Sequence, residues 1–246
     1  MDSIEGKTML ITGASRGLGA ALARAAAGRG ARVVAVAREE GPLLQVVAEI
    51  RASGGAAFAL PADVGDKDAI HGITGAAAAL AGPIDVVVHN ASWLGPTPLG
   101  LLMDTACEDL ERVLAVNLVG PFRLSRVLAG PMLLRGSGVI VHVSSDAAVS
   151  AYPRWGAYGV SKAAFDHLAR SFAAELEGSG VRVFAIDPGE MDTRMHAEAM
   201  PEADPATLAR PEDVAQRLLA AIEDAALAPA GARVIAAELG ALRRAS

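Results

Sequence analysis

The 246-residue chain has a single cysteine, Cys107. That excludes an internal disulfide and a thiolate metal cluster, and a lone buried thiol is the expectation. There is no block of Lys or Arg and the formal charge is −6, so nucleic acid is not an expected partner. No run of 18 or more uninterrupted apolar residues occurs; Thr74 to Ala81 is apolar but Pro83 ends it, too short to span a bilayer. The N-terminal Met1-Asp2-Ser3-Ile4-Glu5 carries acids and no apolar stretch, unlike a signal peptide. These absences leave the cytoplasm as the default location, with no membrane partner. No Pro- or Ser-rich linker and no internal repeat divides the chain, and its length suits one α/β domain over residues 1–246. His71, His167 and His196 are scattered, so no metal site is expected.

What the chain does have is core material: 52% hydrophobic residues against 20% charged, with a mean hydropathy of +0.35. Much of it is Ala and Val, which suits parallel strands covered on both faces. Strand-like runs fall at Thr8–Thr12, Arg32–Ala37, Ala56–Leu60, Ile84–His89, Gly138–Val143, Val181–Ile186 and Arg233–Ala236. Helix-like stretches fill 17–29, 40–53, 66–80, 108–134, 157–177 and 211–226. The alternation predicts a Rossmann-type doubly wound, mostly parallel seven-stranded sheet with helices on both faces. The least regular stretch is 187–210, with Pro188, Gly189, Pro201 and Pro205. It is either a surface insertion or a substrate lid, since ligands of open α/β sheets sit beyond the strand C-termini.

The first strand runs into Gly13-Ala14-Ser15-Arg16-Gly17-Leu18-Gly19. Glycines at such a turn allow positive φ and close approach of backbone to a ligand, and the helix that follows offers free N–H groups to a pyrophosphate. The G-x-x-x-G-x-G spacing is neither the common dinucleotide fingerprint nor a P-loop. The second strand ends in Arg38, where an NAD site usually has an acid. Arg38 and Arg16 are either solvated surface groups or a pair that binds a 2′-phosphate. The second alternative favours NADP(H) over NAD(H), with Glu39 and Glu40 acting against it.

Tyr158 and Lys162 are four residues apart, on one face of a helix-like stretch. A free tyrosine has a pKa of about 10. A neighbouring ammonium is expected to lower it, making Tyr158 a usable general acid or base. Ser144-Ser145 ends the fifth strand-like run, at the mouth of the expected crevice. Asn117 sits in an apolar stretch, where a buried amide needs partners. Asn90-Ala91-Ser92 follows the fourth. His142 alternates with valines and reads as a packed histidine. Trp93 and Trp155 each either wall a substrate site or pin their own loop.

Taken in order, Thr12 through Gly19, Asp63-Val64, Asn90-Ala91, Asn117, Ser145, Tyr158 with Lys162, and Pro188-Gly189 with Thr193 resemble the short, single-domain branch of the short-chain dehydrogenase/reductase family. The likeness covers Thr12 to about Pro211. It implies that Ser145 polarises the substrate, Tyr158 exchanges the proton, and Lys162 binds the nicotinamide ribose. Asn117 would hold a water linked to Lys162, and Asp63 the adenine amino group, with Val64 beside it. Asn90 and Ala91 would flank the adenosine ribose; Pro188, Gly189, Met191 and Thr193 would fix the nicotinamide end. The implied activity is hydride transfer between NADP(H) and a small-molecule carbonyl or alcohol, in a homodimer or homotetramer. Three positions depart from the family pattern. Ser92 stands where glycine is frequent, Glu190 where an apolar residue is usual, and Asp-Gly-Gly is missing after Arg233. Glu190 is either a substrate contact or a solvated acid. Two rival readings keep the fold: a cofactor-sensing regulator without turnover, and an epimerase or dehydratase.

Overall fold

A computed structural model describes residues 3–242 of the chain. Met1 and Asp2 of the acidic N-terminus lie outside the described residues, as does the chain from Arg243. Seven strands form one all-parallel sheet: β1 Thr8–Thr12, β2 Arg32–Ala37, β3 Ala56–Pro61, β4 Val86–His89, β5 Gly138–Val143, β6 Val181–Asp187 and β7 Arg233–Ile235. Their order across the sheet is β3-β2-β1-β4-β5-β6-β7. The chain winds outward from β1 to β3, then returns to lay β4 beside β1. That reversal opens a crevice at the strand C-termini. β1, β4 and β5 are buried along their whole length, as continuous Val/Ile-rich parallel strands require.

The helices are α1 Gly17–Gly28, α2 Glu40–Ala52, α3 Ala69–Ala81, α4 Cys107–Leu114, α5 Gly120–Arg135, α6 Gly156–Glu175, α7 Arg194–Ala199, α8 Pro211–Glu223 and α9 Ala236–Leu242. One core joins α1, α2 and α8 to one sheet face through residues such as Leu22, Val47 and Leu218. A second joins α3, α5 and α6 to the other through Ile73, Leu124 and Ala169.

Several expected boundaries move for local reasons. α3 begins at Ala69 and not at 66, because Asp66 first accepts the Asp68 N–H in a turn of its own (2.9 Å). β4 begins at Val86, where the Asp85 carboxylate takes the Thr8 N–H (2.9 Å). α8 stops at Glu223, and Asp224 caps the next turn by accepting from Ala226 (2.8 Å). α5 ends on Gly136 at φ 65°, the left-handed position glycine takes at a helix end.

The stretch 108–134, expected as one helix, is interrupted by a widened π turn over Ala115–Val119. The run Cys107–Arg135 is 29 residues long with a mean hydropathy of 1.3 in its most apolar window, enough to cross a membrane by length and composition. Half of that window is buried in the fold, with Leu128 and Met132 in the same core as Val87 and Ile140. Cys107 is exposed at the start of α4, against the expectation of a buried thiol: it lies on the outer turn of a helix whose buried residue is Val113. The segment 187–210 is more regular than its composition suggests. It contains α7, and it is stitched to itself by Asp192 N–H to Ala209 O (3.0 Å) and Ala209 N–H to Glu190 O (3.1 Å).

Candidate active site

The turn between β1 and α1 is built on contacts only glycine permits. Gly13 holds φ +67°, and a Cβ there would lie 2.8 Å from Ala91 Cα; a Cβ on Gly19 would lie 2.2 Å from Gly13 O. Asn90, at the end of β4, ties the turn down. Its Nδ2 donates to Thr12 O (2.9 Å) and Gly13 O (3.1 Å). Thr12 Oγ1 accepts from the N–H groups of Asn90 and Ala91 (3.1 and 3.0 Å). The Asn90 side chain is thus a brace between two loops, while Asn90 and Ala91 still face the cleft.

That cleft has a volume of about 360 Å³. Of the residues expected to hold a cofactor, Gly13, Ser15, Arg16, Gly17, Leu18, Arg38, Asp63, Val64, Asn90, Ala91, Met191 and Thr193 line it. Gly19 lies beneath the turn. The Asp63 carboxylate accepts from Gly65 N–H (2.8 Å) and pairs with Arg112 (2.7 Å), so an adenine would share it. Arg16 is engaged by Glu39, whereas Arg38 is exposed and forms no ion pair among the described residues.

Tyr158 and Lys162 lie on α6, both buried (7% and 2% exposed). Lys162 Nζ donates to Val143 O (2.7 Å) and lies 5.5 Å from the Tyr158 ring centre. Burial pulls its pKa down to about 8, with Asp166 and Asp187 opposing. The Tyr158 phenol is pushed up to about 12, which reverses the expected direction. Loss of hydration outweighs all else. The hydroxyls of Ser92 and Ser145 oppose the rise, and the carboxylates of Asp146 and Asp187 add to it. Ser92, where the family often has glycine, thus turns a buried Oγ toward the phenol.

Asn117 lies in the π turn, a distortion often found where a helix must present a functional group. Its Oδ1 accepts from Trp93 N–H (2.8 Å), and its Nδ2 donates to Trp93 O (2.9 Å) and Ser161 Oγ (2.9 Å). Both amide protons are committed to positioning the loop after β4 and the turn before Lys162. One lone pair on Oδ1 remains for a water.

Sequence reasoning missed an ionic clamp beneath the site. Arg233, on β7, donates through Nε to Asp166 Oδ2 (2.9 Å), and through Nη2 to Asp187 Oδ2 (2.8 Å) and Ser145 O (2.8 Å). Asp166 and Asp187 are 4% and 5% exposed. One guanidinium therefore joins the serine loop, the Tyr158 helix and the strand that leads to Pro188. Asp166 is four residues after Lys162 on the same helix face, which was the only signal in the sequence.

A second cavity, of about 290 Å³, opens on Tyr158 and Ser145. Ser144, Trp155, Pro188, Gly189, Glu190, Met191 and Thr193 line it. Trp155 meets Tyr158 edge-on, ring centres 5.8 Å apart. Trp93 does not reach this cavity. It lines the cofactor cleft, because Asn117 holds its backbone on that side. Asp146, Tyr152, Met195, His196 and Met200 also line the second cavity and carried no recognisable spacing. Ser145 Oγ donates to Asp146 Oδ1 (2.9 Å) and Tyr152 Oη to Asp146 Oδ2 (2.9 Å). His142 is fully buried, stacked on Phe165 at 4.1 Å, as expected for a packed histidine.

Residues 7–204 match the family profile described as short chain dehydrogenase. A short chain dehydrogenase of Pseudocercospora fijiensis is 41% identical over 197 residues, 79% of this chain. The match spans 62% of that relative, less than two thirds of its length. The 3beta-hydroxysteroid dehydrogenase 1 of Eggerthella lenta is 38% identical over 227 residues, 87% of this chain and 85% of the relative. Among solved structures, a metagenomic short-chain oxidoreductase in complex with NADP superimposes with a TM-score of 0.80 at 31% identity, covering 94% of this chain and 97% of the other.

Proposed function

The chain belongs to the short-chain dehydrogenase/reductase family of oxidoreductases, and from that premise we propose that it passes hydride between NADP(H) and a small-molecule carbonyl or secondary alcohol, with Tyr158 exchanging the proton. The observation that carries the reading is the adjacency of two cavities: Tyr158 and Ser145 line the second, the glycine turn lines the first, and Met191, Thr193 and Met195 form a wall common to both.

The glycine contacts at Gly13 and Gly19 keep the turn free of side chains where a pyrophosphate would lie, so the residues fit a dinucleotide. Gly13, Ser15, Gly17 and Leu18 would hold its phosphates, Asp63 and Val64 its adenine, and Asn90 and Ala91 its adenosine ribose. Pro188, Gly189, Met191 and Thr193 would hold the nicotinamide end, with Lys162 on that ribose. When bound, the nicotinamide supplies or accepts the hydride. Arg38, with no acidic partner among the described residues, is the residue for a 2′-phosphate, with Arg16 shared with Glu39. A similar structure is in complex with NADP, which supports this preference.

Tyr158 with a pKa near 12 stays protonated at neutral pH. It donates a hydrogen bond to a substrate oxygen and releases the proton only as that oxygen becomes an alkoxide, a stronger base than a phenolate. Ser145 has one proton, now held by Asp146; turning it to the substrate oxygen polarises the carbonyl. Lys162 holds its ammonium proton below about pH 8 and restores charge balance beside the phenol. Tyr158→Phe should lower kcat by at least about a thousandfold, the upper part of general acid catalysis, with NADPH affinity changed less than twofold. Titrating NADPH by fluorescence and following its oxidation with ketones reads both. Turnover near that of the parent protein in the variant would eliminate this proton route.

A further inference from the structure

We propose that the cavity beside Tyr158 selects its substrate by charge. An apolar carbonyl compound bearing an ammonium group fits it best, a neutral one next and a carboxylate least. The inference rests on the hydride-transfer reading for the choice of a carbonyl compound, and on the cavity alone for the charge.

The body of the cavity is apolar: Leu94, Trp155, Met191, Met195 and Met200 form its walls. Among the described residues its charged wall residues are Asp146 and Glu190, and no Lys or Arg lines it. Asp146 is pinned beside the reacting centre by Tyr152 Oη (2.9 Å) and by Ala147 N–H (2.8 Å). Glu190, 64% exposed, stands at the open side, with His196 Nε2 3.9 Å from its Oε1. Two buried or half-buried cations near it, Lys162 and Arg233, are already committed. Lys162 Nζ points to Val143 O, and Arg233 is held between Asp166 and Asp187. The charged side chains that line the cavity itself are thus both acidic, Asp146 and Glu190. A substrate carboxylate would meet like charge from two exposed carboxylates, a repulsion that low salt leaves least screened. An ammonium would gain a charge-assisted hydrogen bond.

The test uses three ketones of one shape: para-methylacetophenone, para-(aminomethyl)acetophenone and para-acetylbenzoate. Each is titrated into the free protein by calorimetry in low salt at pH 8, where an ordinary imidazole is neutral. The carboxylate should bind about tenfold or more weaker than the methyl compound, and the ammonium several-fold tighter, an order-of-magnitude expectation for charges near a protein surface. Glu190→Gln and Asp146→Asn should each narrow the ammonium-to-carboxylate ratio; Glu190 is exposed, so its variant keeps the fold. Equal or tighter binding of the carboxylate overturns the inference, as does a ratio that neither variant narrows. NADPH oxidation is followed in parallel. If the binding order holds while none of the ketones is reduced, the hydride-transfer reading fails and the charge selection stands.

Discussion

Arg38 stands at the tip of β2 with its guanidinium in solvent, while its neighbour Arg16 is bound to Glu39. A 2′-phosphate therefore has one uncommitted cation to find. Arg38→Asp should reduce NADPH affinity about tenfold or more while leaving NADH affinity nearly level, because a charge-assisted pair is replaced by repulsion. Titration of both cofactors checks it; an unchanged ratio would mean that Arg38 does not read the phosphate. Single residues were legible where chemistry and order coincide. The glycine turn lines one cavity and Ser145 and Tyr158 the other, whereas Lys162 lies buried behind Tyr158 and lines neither. The sign of the Tyr158 shift was not legible, since four-residue spacing shows a nearby ammonium but not the burial that overrides it. Cys107 failed for a related reason: with no partners to organise it, composition alone had to decide its exposure.

Elements were legible in kind, and less so at their joints. All seven strands stand where β-branched runs predicted them. The interruption of the helical stretch at Ala115–Val119 was invisible, because an apolar period persists through a π turn. The Arg233 clamp was also hidden, since its three partners lie on a helix, a strand end and a loop far apart in sequence. It predicts a graded response. Arg233→Met leaves two buried carboxylates unpaired and should cost about 3–5 kcal/mol of stability, read as a lower Tm. Arg233→Lys keeps a charge but cannot reach Asp166, Asp187 and Ser145 O together. Its kcat should fall severalfold, with NADPH affinity nearly kept. A methionine variant as stable and active as the parent would show that the clamp positions nothing.

Across the whole molecule, two histidines are buried near the C-terminal ends of the central strands β4 and β5. His89 is 1% exposed and His142 0%, their rings 5.3 Å apart, and His89 Nε2 bonds Ser125 Oγ (2.8 Å). Burial drives His142 down to about 3, Phe165 O opposing and Lys162 adding. Burial also drives His89 well below its ordinary value, with His142 adding. Both stay neutral in the fold but take protons near pH 6.5 once unfolded. The contribution of the two histidines to stability is therefore level above that pH. It falls as pH drops below it, by about 1.4 kcal/mol per unit for each histidine. Denaturant unfolding at pH 7 and pH 5.5 should show the loss, and His142→Gln should remove about half of it. An unaltered slope in that variant would mean that the histidine is not the source. At this scale the topology was legible from the alternation of elements, whereas the second cavity was legible only in part, through Trp155, Glu190 and the stretch 187–210. Its other walls come from Leu94 after β4, from the loop after β5 and from side chains within 187–210 that follow no period.

One feature of that wall reaches beyond binding. Met191, Thr193 and Met195 each face both cavities, whereas Arg38 faces only the cofactor cleft and Asp146 only the substrate cavity. A change at any of the three alters both ligand preferences at once. A change at Arg38 or Asp146 alters one. Drift toward a new substrate at Asp146 leaves the cofactor cleft untouched and answers to Ser145 as well as the substrate, whereas at the shared wall every mutation is screened twice, once by each ligand.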